Sequence, residues 1–225
     1  MRTYYYIFLL LIGCNVLHNV QIKKNKKIDN IDLDFLFNSS NYLDSLKEIK
    51  VSKKIGDGII YIENDLKTGD STTISGSRTS GFTRSVITRD SPIYTYAEFY
   101  PNGHLKAMGF MHNGNTNTEF KDVSSFVVIP FSYGLWKLYD PSGKVEQEID
   151  YELYFKYTFD QMLSQSLTVL KDFPSWNMEL KRSVSIQNGK GKWVLSRYLG
   201  SKGIIVVFDG MTGKEVSRVD AVRGH

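Results

Sequence analysis

The chain has 225 residues, 41% of them hydrophobic and 13% aromatic, enough apolar material for one or two small domains and too much for a disordered chain. Its single cysteine, Cys14, excludes an intramolecular disulfide framework and any zinc cluster built from thiolates. The net charge is +4, and Arg2, Lys23, Lys24, Lys26 and Lys27 against Asp29 account for all of it, so residues 31–225 balance and present no basic face for nucleic acid.

Met1-Arg2-Thr3 leads into an apolar run from Tyr4 to Gly13. One positive charge before about ten apolar residues is the layout of a secretory signal, predicted here over residues 1–13. A helix that crosses a bilayer needs roughly 20 residues. The end of the run, Leu11-Ile12-Gly13-Cys14, resembles the lipobox of bacterial lipoproteins, in which an aliphatic residue and small residues precede a cysteine. The resemblance implies cleavage before Cys14, its lipidation, and a membrane as partner, with each buried acyl CH₂ contributing about 0.8 kcal/mol. It implies a cell-envelope location. Asn15 is not the aspartate associated with inner-membrane retention, which favours the outer membrane. Residues 14–50 then read as a lipidated tether. Within it Tyr42, Leu43, Leu46 and Ile49 have the spacing of a short amphipathic helix, capped by Ser40 or Asn41.

From Lys54 the period changes to that of strands. Gly56-Asp57-Gly58 turns into a strand at Ile59–Ile62, and Lys67-Thr68-Gly69-Asp70 turns again. Residues 71–91 are rich in Ser and Thr and read as a β-hairpin with a mobile tip, interrupted by Gly76 and Gly81. Arg78, Arg84 and Arg89 in this stretch are candidates for an anion site. Tyr94, Tyr96, Phe99 and Tyr100 build a strand, Pro101-Asn102-Gly103 turns, and Leu105–Phe110 returns. Gly134–Tyr139, Asp140-Pro141-Ser142-Gly143 and Lys144–Ile149 repeat that unit. In each copy an aromatic stands four residues before the turn glycine and an aliphatic two residues after it.

Phe99-Tyr100-Pro101-Asn102-Gly103-His104-Leu105-Lys106 resembles a MORN-variant repeat, and so does the run from Gly134 to Val145 around Trp136 and Tyr139. Asp57-Gly58-Ile59-Ile60-Tyr61 with Thr68-Gly69 reads as a degenerate first unit. The resemblance covers residues 55–150. It departs from a regular array in two ways. The copies stand 40 residues apart, about twice the usual unit, and Asn113–Pro130 is an Asn/Thr-rich loop followed by the apolar run Phe126–Ile129. The resemblance implies a binding or scaffold surface, antitoxin- or immunity-like in some bacterial proteins, with a protein partner. Tyr96, Tyr100, Trp136 and Tyr139 on these strands are the candidate binding surface, since exposed Tyr and Trp anchor interfaces. The competing reading puts them on the covered face, and it is the favoured one for Trp136.

Thr158 and Gln161 form a capping box ahead of the apolar stripe Phe159, Met162, Leu163, Leu167, Val169 and Leu170, which Pro174 ends. Strands are predicted at Asn177–Ile186, Lys192–Leu199, Gly203–Phe208 and Glu215–Val219, with turns at Asn188-Gly189, Gly200-Ser201 and Asp209–Lys214. This run over residues 157–220 resembles the PepSY-like modules of exported bacterial proteins, which implies a non-catalytic module that binds or inhibits. The expected fold is mainly β, α+β overall: an antiparallel β-meander of MORN-like hairpins over residues 54–153, then a small module of one helix and an antiparallel sheet.

Catalytic spacings are missing. There is no His-Glu-x-x-His, no Gly-x-Ser-x-Gly and no phosphate-cradling glycine loop. His104 and His112 flank one strand. Asp57, Glu63 and Asp65 are the carboxylates from which a hydrolase pair would be drawn. The turn at Asp209 lacks the alternating carboxylates of a calcium loop. The expectation is a lipid-anchored, non-enzymatic envelope binding protein with neither cofactor nor metal. An envelope assembly or inhibitory factor acting through the PepSY-like module and a secreted hydrolase are the alternatives.

Overall fold

The computed structural model describes residues 30–53, 57–114, 125–169 and 177–222. The signal segment, Cys14 and the lysine cluster lie outside the described residues. No described helix is long and apolar enough to cross a membrane.

The folded body starts earlier than the sequence suggests. Ile31 donates its N–H to Gly103 O at 3.0 Å, and helix α1 (Leu33–Asn38) follows, with the Asp32 carboxylate accepting from Phe35 N–H at 2.9 Å. Ile31 and Leu36 are buried. The helix expected over Tyr42–Ile49 is a hairpin instead, β1 (Tyr42–Leu43) and β2 (Lys47–Lys53). Asp44 decides this: its carboxylate takes the N–H groups of both Leu46 and Lys47 at 2.7 Å and closes a turn. Asn41, expected as a helix cap, accepts from Val51 N–H at 2.7 Å and ties the hairpin. A tether running to residue 50 is therefore corrected for residues 31–50.

Seven further strands extend this hairpin into a nine-stranded antiparallel meander: β3 (Gly58–Asp65), β4 (Ser71–Ser77), β5 (Gly81–Ile87), β6 (Ile93–Phe99), β7 (Leu105–His112), and, after β8 (Ser125–Val128), β9 (Phe131–Tyr139) and β10 (Val145–Asp150). The two MORN-like turns are superposable in their hydrogen bonds. Tyr100 and Asp140 donate to His104 O and Lys144 O at 2.8 and 2.9 Å, and Gly103 and Gly143 donate back to Tyr100 O and Asp140 O at 2.9 Å. Both glycines have positive φ, 81° and 86°, where a side chain is strained. The tip of the β4–β5 hairpin makes contacts of its own. Ser77 Oγ accepts from the N–H groups of Thr79 and Ser80, and the Arg78 guanidinium lies 4.7 Å above the Phe37 ring of α1.

The Asn113–Pro130 insertion does not break the meander, because β7 pairs directly with β9. It carries β8 out of the first sheet and into a second. A 3₁₀ turn at Tyr151–Tyr154 leads to α2 (Phe159–Val169), then β11 (Asn177–Ser185), β12 (Lys190–Leu199), β13 (Lys202–Asp209) and β14 (Glu215–Val222). The second sheet runs β14-β13-β12-β11-β8, and β8 lies parallel to β11. The all-antiparallel expectation is corrected at that one edge, and the described residues are mainly β, with two short α-helices among them. The capping box of α2 forms as read: Thr158 N–H donates to Gln161 Oε1 at 2.9 Å, and Gln161 N–H to Thr158 Oγ1 at 3.3 Å. Met162 of α2 packs in one core with Leu180, Trp193, Leu195, Val206 and Phe208, with Phe159 and Val169 of the same helix against it. Val128 and Phe131 belong to the same core, so the insertion and the start of β9 join the two sheets.

Candidate functional site

Strand alternation gives the first sheet two faces. Ile59, Tyr61, Phe82, Ala97 and Phe99 face α1 and form a core with Ile31, Leu36 and Leu105. The other face carries the candidate site. There Tyr94, Tyr96 and Glu98 of β6 stand opposite Met111, Gly109 and Ala107 of β7. Gly109 has no side chain, and the Trp136 indole of β9 takes the space; a Cβ at position 109 would stand 2.4 Å from the ring. Indole Nε1 donates to Phe110 O at 2.9 Å. The ring lies 5.9 Å from Tyr96 and edge-on to Tyr151 at 6.0 Å, distances at which aromatic pairs attract. Trp136 is 7% exposed, so it is a wall of the site rather than a protruding anchor.

Beside the indole a groove of about 400 Å³ opens, lined by Tyr100, Leu138, Tyr139, Ile149, Tyr151 and Ile186, with the charged side chains of Glu98, Lys106 and Glu146. Tyr100 Oη donates to Tyr139 O at 2.9 Å, which fixes the two aromatics at one end. Lys106 Nζ pairs with Glu98 at 3.3 Å. The four aromatics singled out in the sequence thus gather: Trp136, Tyr100 and Tyr139 line the groove, and Tyr96 backs the indole. Burial raises the pKa of Tyr94, Tyr96 and Tyr133, so these phenols stay protonated at neutral pH.

A second cavity of about 370 Å³ shares Tyr151 and Ile186 with the groove and adds Met111, Phe131, Ser132 and Arg182. Arg182 is the residue that sequence reading missed. Its side chain is 3% exposed, and the guanidinium sits 3.7 Å above the Phe155 ring and 5.2 Å from that of Phe131. Nη1 and Nη2 both donate to Glu152 Oε1 at 3.0 Å, and Nη2 to Tyr151 O at 2.8 Å. Burial lowers the Arg182 pKa, and the Glu152 carboxylate opposes that shift. The same Oε1 accepts from Gly134 N–H at 3.3 Å, so one oxygen ties β9, the 3₁₀ turn and β11. A signal existed: Met178, Leu180, Arg182 and Val184 alternate on β11, which puts the charge on the inward side. Its partner, 30 residues away, left no local trace.

His112 ends β7 beneath this junction. It is 9% exposed, stacked on Phe131 at 4.9 Å and 4.7 Å from Phe159. Its Nδ1 accepts from Gly114 N–H at 3.0 Å, so the ring is neutral with the proton on Nε2. Burial lowers its pKa from the ordinary 6.5, with Asp160 opposing. The unfolded histidine takes up a proton at a pH where the folded one refuses it. The contribution of His112 is therefore complete above about pH 6.5 and is lost as the pH falls below that value. The melting temperature of the wild-type chain is expected to drop across this window more steeply than that of His112→Phe. Equal slopes would contradict the assignment.

The other candidates do not converge. Arg78 sits at the β4–β5 tip near Asp34 at 3.8 Å, Arg84 lies over Phe99 at 5.4 Å on the α1 side, and Arg89 is in the turn at the far end of β5. The three arginines therefore have three separate sets of neighbours. His104 and His112 stand at opposite ends of β7, roughly 25 Å apart at the rise of an extended strand. Glu63 accepts from Tyr61 Oη at 2.6 Å and pairs with Lys47 at 2.7 Å, while Asp65 caps its own turn through the N–H groups of Lys67 and Thr68. Glu63 and Asp65 are thus engaged by neighbouring groups of the sheet and of its turn. Asp209 likewise caps its turn through Met211 and Thr212.

Comparison with curated proteins finds no match. The profile of the MORN repeat variant matches residues 133–153, which places that repeat on β9, its turn, β10 and the start of the 3₁₀ turn, the segment that supplies Trp136, Leu138, Tyr139, Ile149 and Tyr151 to the groove.

Proposed function

We propose that this is a non-enzymatic binding protein of the cell envelope, lipid-anchored through Cys14, that receives a protein partner in the aromatic groove of its first sheet, in the manner of an immunity or antitoxin-like protein. The observation that carries the reading is the groove itself. It is apolar at its floor, aromatic at its walls and charged with both signs at Glu98, Lys106 and Glu146. That composition resembles a protein interface, in which Tyr and Trp supply rigid contact area at the centre and charged groups around them set the register. The MORN-variant repeat supplies most of the walls, which agrees with a binding role. The lipobox-like run and the lysine cluster after it support a membrane anchor with a solvated tether.

The groove is tested by comparing the envelope proteins retained by the immobilised chain with those retained by Ile186→Asp. Ile186 is 42% exposed and lines the groove, so the substitution adds a charge at the contact without disturbing a core. A partner retained by the wild type and lost from the variant, at an unchanged melting temperature, is the expected result. Equal retention by both would overturn the assignment of the groove.

A further inference from the structure

The four sheet edges among the described residues differ in what can lie beside them. β1 has two residues and β8 four. β10 is longer but carries Glu146, Glu148 and Asp150 and no basic residue, so a second copy of itself would bring acids together. The remaining edge is β14, and it is of another kind. All its residues but Ala221 are exposed over an eight-residue strand, and Val216, Val219 and Val222 are 54%, 52% and 83% exposed. One side of it pairs with β13; on the other, no strand lies among the described residues. A long, open edge with valines on it is a template for another strand unless something blocks it.

The sequence of β14 states which strand fits. Read about Val219, it is self-complementary: Val216-Ser217-Arg218-Val219-Asp220-Ala221-Val222. Two antiparallel copies with Val219 opposite Val219 bring Arg218 of each against Asp220 of the other. The same register sets Ser217 against Ala221 and Val216 against Val222. A shift by one residue loses both charge pairs. Arg218 is already oriented, because Nε and Nη2 donate to Glu215 at 2.9 and 2.7 Å, which leaves Nη1 to reach the second copy's Asp220.

We propose that β14 is a homodimerisation edge: two copies of this chain pair β14 antiparallel about a two-fold axis at Val219, merging their five-stranded sheets into one of ten strands. The interface is a same-patch, self-complementary contact, as a two-fold dimer requires. Its opposing charges make it specific for a second copy rather than for any extended peptide.

The test is a charge swap on the full chain, read by sedimentation over a dilution series. The wild-type chain is expected to dimerise. Asp220→Arg sets two guanidinium groups face to face twice over, and Arg218→Asp does the same with carboxylates; each is expected to weaken the dimer by at least about tenfold. The double variant Arg218→Asp/Asp220→Arg restores opposite charges in the same register and is expected to recover it. A chain that stays monomeric throughout, a dimer indifferent to both single swaps, or single swaps that the double variant fails to rescue would each overturn the proposal. Amide hydrogen exchange of the wild-type chain gives an answer without any substitution: exchange along β14 is expected to slow as concentration rises, and concentration-independent exchange there counts against pairing.

Discussion

Glu152→Ala is expected to cost about 3–5 kcal/mol in urea unfolding, the range for breaking a buried ion pair by removing one partner. The two ends of this pair pull toward different magnitudes. Glu152 is 39% exposed, and exposure alone would put the interaction in the surface class, at about 0–1 kcal/mol. Arg182 is 3% exposed and enclosed by the rings of Phe131, Phe155 and Trp193, so once the carboxylate is gone its charge keeps, among the described residues, Tyr151 O as its acceptor and no carboxylate. The buried end decides. The same argument predicts that Arg182→Met/Glu152→Leu, which removes both charges, costs less than Glu152→Ala alone. A loss under about 1 kcal/mol for Glu152→Ala would show that Arg182 reaches water readily and that the sheets are not locked at this point.

Trp136→Ala is the second large effect, expected at about 3–5 kcal/mol for removal of a buried indole. The ring covers Gly109, meets Tyr96 and Tyr151, and holds Ala107 and Ile149 in its small core. None of these can fill the vacated space, because Gly109 offers no side chain and Tyr151 is carried by a 3₁₀ turn anchored through Glu152. Trp136→Phe separates packing from hydrogen bonding. It keeps a ring in place but leaves Phe110 O without its indole donor, and it is expected to cost more than the loss of about 1 kcal/mol that one hydrogen bond implies. If Trp136→Ala unfolds with wild-type stability, the indole is not the wall of the groove.

Much of the architecture was legible because turns write themselves locally. Pro101-Asn102-Gly103 and Asp140-Pro141-Ser142-Gly143 demand a glycine at positive φ, and both adopt the same hydrogen-bonded turn. Thr158 and Gln161 announce α2 through a reciprocal cap. Between residues 42 and 49 the reading failed for a physical reason. Tyr42, Leu46 and Ile49 satisfy a helical period, yet Asp44 stabilises a turn by taking two backbone N–H groups, and pairing with β3 rewards the extended form. The apolar run at Phe126–Val128 was visible, but its parallel partner is some fifty residues on in β11, and no local pattern encodes such a pairing. The site was half legible. Tyr96, Tyr100, Trp136 and Tyr139 were found as aromatics of neighbouring strands and turns, whereas Arg182 of β11, in the adjoining cavity, and Ile186, just after β11 and in the groove, reach their places only through folding.

The proposed binding role stands on where a partner touches. A photo-crosslinking residue in place of Glu146, at the groove, is expected to give a covalent adduct with an envelope protein, and the same residue in place of Leu66, in the turn beyond β3, is expected to give none. Adducts formed from position 66 and not from position 146 would contradict a partner seated in the groove.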